Sequence, residues 1–397
     1  MFVVNINLSS IKNALESISR YVHRTPLIFS NSFSKMFSAE VYIKAENLQK
    51  TGSFKVRGAF NKLSKLKPDN VIAASMGNHA QGVAFAASCL DIKARIVMPL
   101  NVSIVKQEAT KGYGAEVVLY GETFSDALNY AISQKDYAFI HPFDDEDIMA
   151  GQGTIGLEII NELHNIDAVL VPVGGGGLIS GISIAVKELF PKTDVIGVQT
   201  ASATSAYDSF HVKEIVERIP HPTLADGIAV GRIGNKTFEI MQRCVDDIVV
   251  VSEESIAMSV LLFLERKKLV VEGAGAVPLA ALIEQKERFK GKRVVLVVSG
   301  GNIDFTLIDR IIHKGLVSSG RIGVFKVVVD DVPGGLHKIT DIIAAQRGNI
   351  LNVVHDRLSQ DVPIGKTMVI FTVETKGQGH LEEMISAIRE SGFRILQ

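Results

Sequence analysis

Between Val41 and Ile303 the sequence alternates between two kinds of apolar pattern. Short runs rich in Val and Ile recur: VYIKAE, VIAAS, ARIVMP, EVVLY, AVLVPV, DVIGVQ, DIVVV and RVVLVVS. Continuous apolar runs of this kind suit strands covered on both faces, as in parallel sheets. Longer segments with helical spacing lie between them, among them NHAQGVAFAASCL, FSDALNYAIS, GTIGLEIINELH and LISGISIAVKELF. Strand and helix in alternation over this length predict an α/β fold of doubly wound open sheets. Ligands of such sheets sit beyond the carboxyl ends of the strands. The Gly-rich and polar turns at those ends are where chemistry is expected.

The tail has another pattern. HKGLVSSGR, residues 313–321, is polar with small residues and predicts a linker. It is followed by a strand (IGVFKVVVD), a helix (GLHKITDIIAAQRG), two strands (NILNVVHDRL and KTMVIFTVE), a helix (HLEEMISAIRES) and a last strand (FRILQ). The order β-α-β-β-α-β is that of the ferredoxin-like motif. The expected organisation is a large domain over 1–315, with a smaller subdomain near 45–145, and a second domain over 322–397.

Composition narrows the class. The 47% of apolar and 21% of charged residues in a 397-residue chain fit a soluble globular protein of two or three domains. A net charge of -1 offers no basic excess for nucleic acid. Cys89 and Cys244 stand in no metal or redox spacing, which excludes a disulfide framework and fits a reduced cytoplasm. The start, MFVVNINLSSIKN, lacks the basic segment of a signal peptide. No apolar run reaches the roughly 18 residues that cross a bilayer. A cytoplasmic chain with neither nucleic acid nor membrane as partner is expected.

Four turns carry candidate chemistry. In TGSFKVRGAF, Lys55 follows Phe54 and precedes Gly58 and Ala59. A lysine in a small apolar context is partly desolvated, so its amine is neutral often enough to attack a carbonyl. An ordinary surface lysine is the plain alternative. In SMGNHAQG, Ser75, Gly77, Asn78 and His79 fall between a strand and a helix. Free N–H groups at that helix start suit a carboxylate, although Asn78 and His79 equally suit a capping role. In VGGGGLISG, the glycines Gly174, Gly175, Gly176 and Gly177, with Leu178, let the backbone wrap a phosphate at a helix start. The Walker and dinucleotide spacings are absent, and four glycines exceed what a turn needs. In VLVVSGGNID, the hydroxyl of Ser299 ends a strong strand, where it can meet a ring nitrogen.

An amine, a carboxylate nest, a phosphate cradle and a hydroxyl at strand ends describe one site. With SFKVRGA, SMGNHAQG, GQGTIGLEI, VGGGGLISG, PTLADGIAV, VEGAGAV and SGGNID in this order, the sequence resembles the threonine dehydratases of the tryptophan-synthase-β-like family (fold type II), across residues 5–315. The tail resembles the ACT domain, which binds small regulatory ligands. The resemblance implies pyridoxal 5'-phosphate as cofactor, held by Lys55 as a Schiff base. Lys55 is then also the base for the α-proton, and Phe54 packs on the ring. Asn78 bonds the phenolic oxygen, residues 174–178 bond the phosphate and Ser299 faces the pyridine nitrogen. The Ser75–His79 loop holds the carboxylate of an amino-acid substrate. Threonine would give 2-oxobutanoate and ammonia, in isoleucine biosynthesis or threonine catabolism, and serine would give pyruvate.

Two departures separate the chain from the serine racemases of the same family, which are the main alternative beside a non-catalytic amino-acid sensor. Their second acid/base serine falls at Met76, which exchanges no protons. Their divalent cation uses acidic residues after the strand matching VIGVQ, where this chain reads QTASATS with no carboxylate, so no divalent metal site of that type is expected, and a monovalent cation near backbone carbonyls is left open. In the tail, Gly335, Leu336 and Asn352 are candidates for binding an amino-acid effector, isoleucine or valine first. A single ACT copy per chain implies a homodimer or homotetramer.

Overall fold

The computed structural model describes residues 4–357 and 362–396. The chain divides into two compact units, the first ending at Ile303 and the second beginning at Asp304. Strands of the first unit are β1 (Leu27–Phe29), β2 (Glu40–Ala45), β3 (Asn70–Ala74), β4 (Lys93–Met98), β5 (Glu116–Leu119), β6 (Ala138–Phe139), β7 (Ala168–Pro172), β8 (Asp194–Thr200), β9 (Asp247–Val251) and β10 (Arg293–Val298). They form a six-stranded sheet in the order β1-β2-β10-β7-β8-β9 and a four-stranded sheet in the order β5-β4-β3-β6. All neighbours pair in parallel except β1 with β2. Every residue of β7 is buried, as its unbroken apolar run requires. β1 and β6 are too short to leave a pattern in the sequence.

Helices Lys55–Leu66, Glu146–Glu162 and Gly177–Leu189 pack closely through glycine. A Cβ on Gly151 would lie 2.6 Å from the Arg57 carbonyl oxygen, and one on Gly181 would lie 2.2 Å from that of Met149. The GQGTIGLEI segment therefore brings helices together. No helix among the described residues is long and apolar enough to cross a membrane.

A charged cluster lies inside this packing. Lys44, Glu46 and Arg57 are fully buried, and Glu158 is nearly so. Arg57 meets Glu158 at 2.6 and 2.9 Å and Glu46 through two contacts of 2.8 Å. Lys44 Nζ donates to Glu158 Oε2 and to the Thr25 carbonyl, both at 2.6 Å. Two cations and two carboxylates cancel, with hydrogen bonds at nearly every donor. Burial raises the Glu46 carboxyl, but Arg57 and Lys44 outweigh it and hold the group below its ordinary value.

In the second unit, β11 (Ile322–Asp330), β12 (Asn349–Asp356), β13 (Lys366–Glu374) and β14 (Arg394–Leu396) form an antiparallel sheet in the order β12-β13-β11-β14. Helices His337–Ala345 and Gln378–Glu390 complete the β-α-β-β-α-β order. Phe325, Val327, Phe371, Ile339, Ile343 and Met384 share one core. Leu358 and Gln397, at the ends of two expected strands, lie outside the described residues. The expected linker over 313–321 is a correction. Helix Phe305–Ser318 continues through most of it, because Ile308, Ile311 and Leu316 keep helical spacing and Ile311 is buried. The small residues instead end that helix at Gly320, whose φ is 65°.

Replacing Glu158 by Gln leaves Lys44 and one side of Arg57 without their counter-charge. We expect a loss of about 3–5 kcal/mol, read as a lower denaturant midpoint with an unchanged slope.

Candidate active site

The TGSFK segment is pinned to the end of β10. Ser53 bridges Gly300, and the Phe54 N–H donates to the Ser299 carbonyl at 3.1 Å. Lys55 then opens helix Lys55–Leu66, and its Nζ donates to the Pro142 carbonyl at 2.9 Å and stands 5.1 Å from the Phe54 ring centre. Burial lowers the amine to about 8, against the pull of Glu272. Ser299 is buried at the same strand end. Thr51 Oγ1 and Ser53 Oγ are buried with no protein partner.

Helix Asn78–Cys89 begins after β3 with no side chain capping its start. Asn78 does not cap it. Its Nδ2 donates to Glu272 at 2.8 and 3.1 Å, and its Oδ1 accepts from Asn302 at 2.8 Å. The His79 ring is buried in the wall, 3.0 Å from the Ile140 carbonyl, and burial lowers it to about 3, so it is neutral. What His79 offers a ligand is its backbone. Ser75 Oγ accepts from the Gly77 N–H at 3.2 Å, and Met76 is partly exposed.

The glycine loop runs from the end of β7 into helix Gly177–Leu189. Gly176, at φ 95°, requires the left-handed region. Neighbours also exclude side chains: a Cβ on Gly175 or Gly177 would meet Phe143 at 2.4 or 2.9 Å, and one on Gly176 would meet Thr237 at 2.8 Å. Thr237 Oγ1 donates to the Gly175 carbonyl at 2.7 Å. Phe143 follows Pro142, so one short turn touches both the Lys55 amine and the glycine loop. His141 Nδ1 shapes that turn by accepting from the N–H groups of Phe143 and Asp144 at 3.2 and 2.8 Å.

The structure thus gathers Phe54, Lys55, Ser299, Asn78 and the 174–178 loop at the carboxyl ends of β3, β7 and β10. Gly335, Leu336 and Asn352 belong to the second unit, where Leu336 packs against the apolar core and Asn352 is exposed on β12. Sequence reasoning left Pro142, Asn302 and Glu272 without roles, although the last two stand in motifs it singled out. The available signal for Glu272 is one carboxylate in the otherwise apolar VEGAGAV. QTASATS does receive a carboxylate from elsewhere: Glu253 accepts from Thr200, Ser202 and Thr223 hydroxyls and from the Leu224 N–H. No cluster of three metal-ligating side chains occurs among the described residues.

Replacing Gly175 by Ala drives a methyl group into Phe143. Overpacking of this kind costs about 1–3 kcal/mol, and calorimetric unfolding should show the loss.

Comparison with known proteins follows the same lines. The family described as "Pyridoxal-phosphate dependent enzyme" matches residues 18–300. L-threonine ammonia-lyase of Thermotoga maritima is 46% identical over 98% of this chain and 99% of its own length. The Geobacter sulfurreducens L-threonine ammonia-lyase is 45% identical over 97% of this chain and 98% of its own. The crystal structure of the T.th. threonine deaminase superposes with a TM-score of 0.72 at 43% identity, covering 75% of this chain and 99% of that one. With these motifs at its strand ends and a match over most of its length, the chain belongs to the pyridoxal-phosphate-dependent enzyme family.

Proposed function

We propose that the chain is a threonine ammonia-lyase, converting L-threonine to 2-oxobutanoate and ammonia and L-serine, less readily, to pyruvate. The observation that carries this reading is the Lys55 amine, lowered to about 8 at the meeting of the three strand ends, in a chain nearly half identical to enzymes of that name. The residues fit the cofactor. An amine of depressed basicity, an uncapped helix start and two buried hydroxyls without protein partners lie within a few residues of one another in space. Lys55 would hold pyridoxal phosphate, beside Phe54. Backbone N–H groups of Gly174, Gly175, Gly176, Gly177 and Leu178 would take its phosphate, Asn78 its phenolic oxygen and Ser299 its ring nitrogen.

When bound, the cofactor supplies an electron sink that acidifies the α-carbon of an amino acid. Lys55, near its own neutrality point at physiological pH, is suited to taking the α-proton. The N–H groups at the start of helix Asn78–Cys89, in the Ser75–His79 turn, suit the substrate carboxylate. Loss of the β-hydroxyl as water leaves an enamine, which water converts to the 2-oxo acid and ammonia. A neutral hydroxyl at Ser299 gives a weaker electron sink than a carboxylate would, which favours elimination over transamination. Met76 offers no proton at the position where racemases place their serine.

The second unit is read as an ACT regulatory domain, supported by its β-α-β-β-α-β order and strand arrangement. Gly334, at φ 86°, and Gly335 lead into helix His337–Ala345 beside candidate Leu336, whereas Asn352 pairs with Thr372, which faces Val324 near the start of β11 and not the Asp330 end that Gly335 follows. Isoleucine or valine is the effector proposed, in a homodimer or homotetramer.

Three outcomes test this. Lys55→Ala should lose the visible absorbance of the lysine-bound cofactor and nearly all turnover; wild-type-like turnover would sink the mechanism. L-serine should yield pyruvate with little D-serine on chiral chromatography, and D-serine as the main product would make the chain a racemase. Adding isoleucine or valine to the full chain should shift activity by a coupling of about 1–3 kcal/mol; no binding by calorimetry would leave the second unit a pairing module.

A further inference from the structure

Glu272 sits at the N-cap of helix Gly273–Glu284 and is only 6% exposed. Both of its carboxylate oxygens take contacts from one group, Asn78 Nδ2, at 2.8 and 3.1 Å. Its own N–H donates to the Gly300 carbonyl at 3.1 Å. Gly300 has no room for a side chain, because a Cβ there would lie 2.3 Å from Glu272 Oε1. On the far side of Asn78, Oδ1 accepts from Asn302 Nδ2 at 2.8 Å, and the same Nδ2 donates to the Thr51 carbonyl at 2.8 Å. The Asn78 amide is therefore gripped at both ends. The chain Glu272–Asn78–Asn302–Thr51 joins the start of helix Gly273–Glu284, the start of helix Asn78–Cys89, the turn after β10 and the turn before Lys55.

A carboxylate only accepts hydrogen bonds, so it dictates which end of an amide faces it. A glutamine of the same shape could present either end and impose nothing. Burying an ionisable carboxyl where a neutral amide would fit is also costly, and such groups persist where a site uses them. We propose that Glu272 is the positioning residue of Asn78, its ionised carboxylate holding Nδ2 toward itself and Oδ1 toward Asn302. The proposal deepens the functional reading above and rests on it for the role of Asn78.

The charged groups acting on Glu272 are Lys55 of helix Lys55–Leu66, Asp226 of the turn Asp226–Ile228 and Lys106 of helix Ile104–Lys111. Lys106 and Asp226 pair with each other at 3.1 Å. Burial pushes the Glu272 carboxyl up to about 7, with Asp226 adding to the rise and Asn78, Lys106 and Lys55 opposing it. The carboxylate is thus lost as pH falls through about 7, and with it the grip on Asn78. Stability runs the other way. A carboxyl raised in the folded chain favours folding below its ordinary 4.5, and that contribution disappears as pH rises through about 7.

The test uses the full-length holoenzyme as wild type, E272Q, Asn78→Ala and the double variant. The readouts are kcat/KM for threonine, cofactor absorbance against pH, and the unfolding temperature on the alkaline side of about 7. We expect E272Q to lose the acid limb near 7 in both profiles. Its rate should fall about tenfold or more, with no further loss when combined with Asn78→Ala, since groups acting through one contact are not additive. Its unfolding temperature should hold or rise. Retention of the acid limb and rate in E272Q would overturn the proposal, as would additive losses in the double variant. A lowered unfolding temperature with an unshifted pH profile would make Glu272 merely structural. If wild type makes no 2-oxo acid from threonine, the functional reading fails alone, because the absorbance and unfolding measurements still judge Glu272.

Discussion

The buried pairing of Arg57 with Glu46 and Glu158 is the constraint on which the site depends. Arg57 lies two residues beyond Lys55 in the same helix, so whatever fixes its guanidinium fixes the roll and depth of the turn that aims the amine. The guanidinium forks onto both carboxylates, and Lys44 completes the charge balance. Buried charges tolerate little displacement, because each lost contact leaves an ion in a poorly polarisable interior. The cluster ties β2, the Lys55 helix and helix Glu146–Glu162 into one rigid block beneath the strand ends.

One helix therefore carries two opposite electrostatic regimes. On its inner side, attraction outweighs burial, and Arg57 is raised and Glu46 lowered, so both stay charged. On its outer side, burial outweighs attraction, and Lys55 falls to about 8 while Glu272 rises to about 7. Groups pinned in their charged forms serve architecture. Groups drawn toward neutrality from both sides can exchange protons near physiological pH.

Close backbone approach is the other means of assembly. Gly151 and Gly181 let three helices touch, Gly175 admits Phe143, and Gly300 admits Glu272. The last two of these approaches accompany a polar contact in the site, that of the Pro142 carbonyl with Lys55 and that of the Glu272 carboxylate with Asn78. A site built from turns separated by hundreds of residues needs such thin contacts, because a methyl group at any of them would hold its turns apart.

Local pattern in the sequence determined the parallel strands, the main helices, the β-α-β-β-α-β tail and the turns holding Lys55, Asn78, the glycine loop and Ser299. Those features follow from apolar spacing and from what small residues permit nearby in the chain. Tertiary structure decided the rest. The segment 313–321 reads as polar and small, yet most of it continues a helix in which Ile311 is buried. Asn78 is as suited to capping as to binding by its position, and only the arrival of Glu272 and Asn302, 194 and 224 residues away, turns its amide outward from the helix. The depressed Lys55 amine likewise arises from burial by distant parts of the chain, against the pull of Glu272. Charge pairing, desolvation and close packing depend on distance in space, and no local pattern specifies that.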